Sequence, residues 1–366
     1  MNILVPNLGS TSLKYQVLEM PAERVLKRGR MERVSNYAAA VRQLRAEAAG
    51  VEAVAFKAVH GGPRFRGTFP IDAQVLQEME RFLDAAPLHN AIYLEAIRAF
   101  QAEWPEVPLV AAFETEFHRS MPQHARLYGV PREWRIEDGI ERYGFHGASH
   151  EFISRRAPEL LGRASAGLKL ISCHLGGSSS ICAIRDGASL DTTMGFSAQS
   201  GLENATRNGD LDVFAVLAMM DRHAWNTAEV RRQLARESGL AGLSGVPGGD
   251  VRDIEAAERA GSDDARLALE VFAYEVRKTI GAYAAAMGGL DAVAFTGGIG
   301  ENSPRLRTLA CAGLEFLGIE IDQRRNLEGQ GDRIISPDHA PVRALVLETN
   351  EEVVVARRAM KVLAAN

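Results

Sequence analysis

Four of the nine histidines stand beside glycine, proline or aromatic residues: Val59-His60-Gly61-Gly62, Pro87-Leu88-His89-Asn90, Glu116-Phe117-His118 and Tyr143-Gly144-Phe145-His146-Gly147. Their spacing is not that of zinc ligands, and no cysteine pair accompanies them. A single histidine is most often a satisfied structural group. Four in such surroundings predict that several line one cleft. Glu114 closes an apolar run, where a carboxylate could take a metal or a proton. Arg207, in Thr206-Arg207-Asn208-Gly209-Asp210, stands at the entry to a predicted helix. It could cap that helix, pair with Asp210 or Asp212, or contact an anionic ligand.

Polar glycine turns form the second group. Asn7-Leu8-Gly9-Ser10-Thr11-Ser12 and His174-Leu175-Gly176-Gly177-Ser178-Ser179 align with each other, and each joins two short apolar runs. A third turn, Gly297-Gly298-Ile299-Gly300, follows the run Ala292 to Thr296. Backbone N–H groups and hydroxyls in such turns can cradle an anion, because nothing bulky blocks its approach. Lys14 sits just beyond the first turn. The third is neither a Walker A loop nor a dinucleotide fingerprint. Leu243 to Asp250 is a further glycine loop that reads equally well as a plain surface turn.

The elements that must hold these loops alternate. Strands are predicted at 3–6, 13–18, 51–59, 107–113, 168–173, 181–184 and 292–296, and helices at 73–85, 91–103, 211–221, 264–287, from Pro304 onward and at 351–364. In 264–287 the pattern puts Leu267, Val271, Tyr274, Val276 and Ile280 near one face. Gly297 to Asn302 reads as a turn, and 121–144 as irregular. Helix–strand alternation implies an α/β core with a mostly parallel sheet, and the repeated hairpin suggests a duplicated domain. The 366 residues fit two domains around a cleft.

A net charge of −5 lacks the basic footprint of a nucleic-acid binder. No long apolar run suggests a membrane span, and the start does not read as a signal peptide. Three scattered cysteines argue against a disulfide framework. A reducing cytoplasm is the expected compartment.

In order, the segments 7–14, 59–62, 86–90, 113–118, 142–147, 173–176, 191–196, 206–210, 297–303 and 349–352 resemble the acetate kinase family almost end to end. The resemblance implies an α/β fold of the duplicated, two-domain actin/Hsp70/sugar kinase type (ribonuclease H-like), with the active-site cleft between the domains. It implies residues 1–115 plus 352–366 as the first domain and 116–351 as the second. It implies ATP-dependent phosphorylation of acetate to acetyl phosphate, with Mg²⁺ or Mn²⁺, in a homodimer. Its alternatives are a paralogue preferring propionate or another small acid, and a nucleotide-binding sensor without turnover.

Carried over by position, Asn7, Ser10, Ser12, Lys14, His174, Gly176, Gly177 and Ser178 lie on the phosphate side, and Gly298, Ile299, Gly300 and Asn302 on the adenosine side. Arg207 and His146 act on the transferring phosphoryl group, flanked by Lys57 and Glu114. The substrate pocket takes Lys57, Val59, Leu88, His89, Phe145 and Ala198, and the metal takes Asn7, Glu114 and Glu351. The chain departs from the family pattern at Lys57 (Arg in the family), Glu114 (Asp), Gly177-Ser178 (Asn-Gly) and Ala198 (Pro).

Overall fold

The computed structural model describes residues 1–9, 12–34 and 36–365, with only the backbone at 87–89. Two six-stranded mixed sheets form the frame. The first contains β1 (Asn2–Leu8), β2 (Ser12–Glu19), β3 (Arg24–Glu32), β4 (Ala53–Ala58), β5 (Thr68–Pro70) and β6 (Leu109–Phe113), in the order β3-β2-β1-β4-β6-β5. The second contains β7 (Lys169–His174), β8 (Ser180–Arg185), β9 (Ala188–Thr192), β10 (Ala292–Thr296), β11 (Arg333–Ile334) and β12 (Arg343–Val346), in the order β11-β12-β10-β7-β8-β9.

The two sheets repeat one plan. β1 pairs antiparallel with β2 and parallel with β4; β7 pairs antiparallel with β8 and parallel with β10. The two polar hairpin turns therefore occupy equivalent places. The sequence explains the order of strands. β6 and β10, Leu-Val-Ala-Ala-Phe and Ala-Val-Ala-Phe-Thr, are buried throughout, as strands covered on both faces must be. β3, rich in Arg, Lys and Glu, is the exposed edge, where charge discourages pairing with another chain.

Two helices tie the halves together. The helix Glu351–Ala364 follows the second sheet but packs on the first. Its Val353, Val354, Val355, Ala356 and Ala359 share a core with Ile3, Val5, Leu18, Ala55 and Ala112. The helix Gly147–Leu161 does the reverse, setting Ile153 and Ala157 against Leu170, Cys182, Ala294 and Leu345. Full burial of each valine contributes roughly 1.5–3 kcal/mol.

Three expectations need correction. In the helix Asp263–Met287 the buried face is Ala265, Ala268, Leu269, Phe272, Ala273, Val276, Ile280, Tyr283, Ala284 and Met287, while Leu267 and Tyr274 are exposed. Val276 and Ile280 lie on this face as expected, and alanines fill the positions between its larger residues. Residues Gly297–Asn302 are a helix rather than a turn, because the N–H groups of Ile299 and Gly300 both donate to Leu175 O, at 2.8 and 3.0 Å. The irregular stretch holds two short helices, Gln123–Arg126 and Arg132–Ile136.

Candidate active site

Strand ends and helix starts converge on a cavity of about 210 Å³ lined by Asn7, Leu8, Lys57, Val59, Tyr93, Glu114, Phe145, His146, Ser178, Ala198 and Arg207. β1 brings Asn7 and β4 brings Lys57. Glu114 follows directly on β6, its N–H donating to Ala58 O at 2.8 Å. Each crossing helix opens at this place, with His146 at the N-cap of one and Glu351 in the first turn of the other. A carboxylate is favoured at a helix N-terminus. His146 has φ 55°, in the left-handed region, which a non-glycine residue keeps only when its surroundings over-determine it. Gly147 supplies the constraint: its N–H donates to Glu114 O at 3.1 Å, and a Cβ there would lie 2.0 Å from that oxygen.

Lys57 Nζ donates to the Glu351 carboxylate. Burial opposes the lysine's charge, but Glu351 and Glu114 more than offset it and its pKa is raised. Burial also opposes the charge on Glu351, yet Lys57 and His174 hold its pKa below the usual carboxylate range. Glu114 goes the other way. Burial pushes it up to about 7, against the pull of Lys57, and the Glu351 anion adds to the rise. Its buried Oε1 has no hydrogen-bond partner among the described residues. Arg207 donates to Ala198 O at 2.6 Å, and burial lowers its pKa to about 10, so it is cationic at neutral pH. It does not cap or pair as the sequence allowed: Asp212 caps the helix Val213–His223, and Asp210 accepts from Gly201 N at 2.8 Å.

Of the four flagged histidines, His146 is the one that lines the cavity among the described residues. His60 is fully buried and stacks on Phe82, with ring centroids 5.0 Å apart. Its Nδ1 accepts from Gly62 N at 3.0 Å, so Nε2 carries the hydrogen and donates to Phe196 O at 3.2 Å. His118 is buried too, with Nε2 3.0 Å from Phe145 O. Burial pushes both down to about 3. They hold the backbone of Phe196 and of the cavity-lining Phe145, and short motifs alone do not distinguish such a brace from a residue that lines the cleft. The side chains of Leu88 and His89 lie outside the described residues.

A cleft of about 810 Å³ is lined by Gly176, Gly177, Ala205, Gly248, Gly249, Asp250, Val251, Arg252, Glu255, Gly298, Ile299, Asn302 and Ser303. The turn Gly176 to Ser178 belongs to both spaces, since Ser178 faces the smaller cavity. A Cβ on Gly177 or Gly298 would meet nothing within 4 Å, so these residues leave the cleft open. Gly297, at φ 77°, is a glycine by necessity: a Cβ there would lie 2.7 Å from Leu175 O. Gly300 turns inward to the core, where a Cβ would lie 3.6 Å from the Phe295 Cβ.

His174 lies behind His146, the rings stacked with centroids 4.3 Å apart. Lys14 is exposed on β2 opposite Asn7, and Ser12 begins that strand; neither lines the cavity. Ser10 lies outside the described residues. The sequence reading missed Tyr93, which sits among core positions of the helix Pro87–Glu103 and carries no local signal. The loop ending in Gly248-Gly249-Asp250, which reads from sequence equally as a glycine loop or a plain turn, lines the larger cleft.

The sequence model of the acetokinase family matches residues 38–357. The acetate kinase of Geobacillus kaustophilus (strain HTA426) is 41% identical over 390 residues, covering 98% of each chain. The acetate kinase of Carboxydothermus hydrogenoformans (strain ATCC BAA-161 / DSM 6008 / Z-2901) is 40% identical over 397 residues, covering 99% of each. The crystal structure of Porphyromonas gingivalis acetate kinase matches with TM-score 0.89 at 34% identity, over 99% of both chains. A propionate kinase from Francisella tularensis subsp. tularensis SCHU S4 matches with TM-score 0.91 at 32% identity, over 98% of both.

Proposed function

This chain belongs to the acetokinase family, and from that premise we propose that it transfers the terminal phosphoryl group of ATP to acetate, reversibly, giving acetyl phosphate and ADP. The observation that carries this reading is the shared turn Gly176 to Ser178. It joins a small cavity with apolar walls and fixed cations to a large glycine-lined cleft. The first suits a short carboxylate, the second a nucleotide, and the turn is where a phosphoryl group passes between them.

The chemistry asks for positioning and charge neutralisation more than for a base, because the attacking carboxylate is already ionised. In this reading Arg207 holds the carboxylate and the transferring group, with its guanidinium fixed by Ala198 O. His146 offers a donor to the phosphoryl oxygens. Val59, Phe145 and Ala198 wall the acid's alkyl end. Gly177 and Ser178 lie along the phosphates, and Gly298, Ile299 and Asn302 along the adenosine.

Asn7, Glu114 and Glu351 fit a divalent cation. They are a hard oxygen set of the kind that suits Mg²⁺ or Mn²⁺, and the orphaned Glu114 Oε1 is a buried acceptor in want of a partner. When bound, the ion neutralises phosphate charge. Lys57 meanwhile keeps the Glu351 carboxylate ionised and in place.

The same reading divides the chain into 1–115 plus 352–366 and 116–351, supported by the packing of the last helix on the first sheet. It makes the protein a cytoplasmic homodimer. No helix of the described residues is long and apolar enough to cross a membrane, and the apolar helix Val213–His223 has no buried residue, which supports a partner surface there. A second reading is favoured by Ala198: propionate as the acid, the extra methylene occupying wall space that a proline would fill. A coupled assay of ADP release over acetate, propionate and butyrate tests both readings. Turnover with ATP and acetate is expected. Nucleotide binding without carboxylate-dependent ADP release would leave a sensor instead.

A further inference from the structure

The proposed reaction needs His146 to meet the phosphoryl group with a hydrogen on the ring nitrogen that faces it, and the residues behind His146 decide whether it does. Nδ1 of His146 is 2.9 Å from Ser180 Oγ, which leaves Nε2 for the cavity. The same hydroxyl is 2.8 Å from His150 Nε2, and His150 Nδ1 is 2.9 Å from Ser172 Oγ. Ser172, His150 and Ser180 are fully buried.

A neutral imidazole has one donor and one acceptor, and a hydroxyl has one hydrogen to give. Apart from an order in which Ser180 accepts from both rings and leaves its own buried hydrogen unused, the chain Ser172–His150–Ser180–His146 can be ordered in two ways. In one, His146 Nδ1 donates to Ser180, Ser180 donates to His150 Nε2, and His150 Nδ1 donates to Ser172. The buried Ser172 hydrogen is then left with no acceptor among the described residues, since its hydroxyl has His150 as its partner. A buried donor left without an acceptor disfavours this order. In the other order every hydrogen is used. Ser172 donates to His150 Nδ1, His150 Nε2 donates to Ser180, Ser180 donates to His146 Nδ1, and His146 presents Nε2–H.

We propose that Ser172, His150 and Ser180 are positioning residues that fix His146 as the Nε2–H tautomer, so that an uncharged histidine donates to the transferring phosphoryl group. The relay fixes orientation as well as tautomer. Its far end is anchored on β7 by Ser172 and its middle on β8 by Ser180, two strands that pair directly through Ser172 and Cys182. His174 closes the other side, stacked on His146, with its own Nδ1 held 2.8 Å from Ser149 Oγ.

The inference rests on His146 facing the phosphoryl group, and its test separates that reading from the relay. In ligand-free wild-type protein labelled with ¹⁵N-histidine, long-range ¹H–¹⁵N spectra read the tautomer without turnover, with His146 assigned by the signal lost in His146→Asn. The hydrogen is expected on Nε2; finding it on Nδ1 overturns the relay whatever the substrate. In the wild-type assay, Ser180→Ala should lower kcat about tenfold with KM for ATP unchanged, as loss of orientation does. His150→Phe should behave alike, and His150→Gln, whose amide nitrogen reaches the Nε2 position, should recover most of the rate. Wild-type kcat in Ser180→Ala, or no gain of Gln over Phe, overturns the proposal. If Ser180→Ala does not fold, the wild-type spectrum decides alone.

Discussion

At the scale of single residues, the site turns on where Lys57 stands. It donates to Glu351 and lies within the electrostatic reach of Glu114, so one ammonium serves two carboxylates. A lysine is a point charge and cannot make the two-pronged contact of an arginine. Glu114 carries its carboxylate one methylene further than an aspartate would. If the two compensate, Lys57→Arg and Glu114→Asp should each slow carboxylate-dependent turnover, and the double variant should recover much of it; additive losses in this double-mutant cycle would show independence. Glu114→Ala should lower kcat by about 100-fold or more, since in the proposed reading it removes a carboxylate that holds the divalent cation. ATP binding, measured by calorimetry, should change little, because the glycine-lined cleft proposed for the nucleotide does not include Glu114. Full activity in Glu114→Ala would take Glu114 out of the mechanism. Ala198 answers to a different term. Its carbonyl, which a proline would keep, holds Arg207, so Ala198→Pro should alter the pocket wall more than the cation. One methylene is worth roughly 1 kcal/mol, or about tenfold. Wild-type protein should use propionate nearly as well as acetate, and Ala198→Pro should shift the kcat/KM ratio toward acetate by about that factor. Strong wild-type preference for acetate would mean that another side chain fills the space.

Among the elements, the two crossing helices matter most, because each begins at the cleft and ends on the opposite sheet. The constraint is tightest at Gly147, where a Cβ would lie 2.0 Å from the Glu114 carbonyl. That atom is backbone and cannot swing away. Gly147→Ala should therefore displace the helix start together with His146, lowering kcat by about 100-fold or more and thermal stability by several degrees, read by calorimetry. An alanine variant with wild-type melting and turnover would mean that the two segments slide freely. How much of this was readable from sequence follows the same physics. β10 and the helix Glu351–Ala364 announce themselves, one as a short continuous apolar run and the other by its 3.6-residue apolar period. The strand ends at Lys57 and Glu114 follow once the strands are found. On Asp263–Met287 the pattern places Val276 and Ile280 correctly but not Leu267 and Tyr274, because the four alanines of the buried face carry little hydrophobic signal. Residues Gly297–Asn302 look like a turn until Leu175 O is placed beneath them. Tyr93 and the relay behind His146 depend on contacts between segments far apart in the chain, which no local pattern records.

For the molecule as a whole, two properties remain to be tested, one at its surface and one in its interior. Val213 and Phe214 are 66% and 74% exposed at the start of a helix with no buried residue. If that surface meets a second copy, Phe214→Asp should halve the mass seen by light scattering, and a monomeric wild type would end the dimer proposal. The interior holds histidines as neutral groups. Burial pushes His60 and His118 down to about 3, and lowers His146, His150 and His174 as well. In the unfolded chain a histidine titrates near 6.5. Below that value the unfolded state binds protons that the folded state does not, so the folded state loses ground as pH falls, down to the folded pKa. The contribution is fully present above about pH 7 and declines between roughly 6.5 and 3. For His60 and His118 the loss from pH 7 to 5 is about 2 kcal/mol each. That window lies above the range in which paired carboxylates such as Glu23 and Asp250, whose pKa values are lowered, begin to give up their own contribution. Denaturant unfolding at pH 7 and pH 5 should therefore show a marked fall in the midpoint. His118→Gln, which cannot take up a proton when unfolded, should reduce the pH 7 to pH 5 difference by about 2 kcal/mol whatever its stability at pH 7. A midpoint that does not move between pH 7 and 5 would mean that the interior accommodates charged imidazoles, and that the hydrogen-bond pattern around His60 and His118 is not the neutral one described.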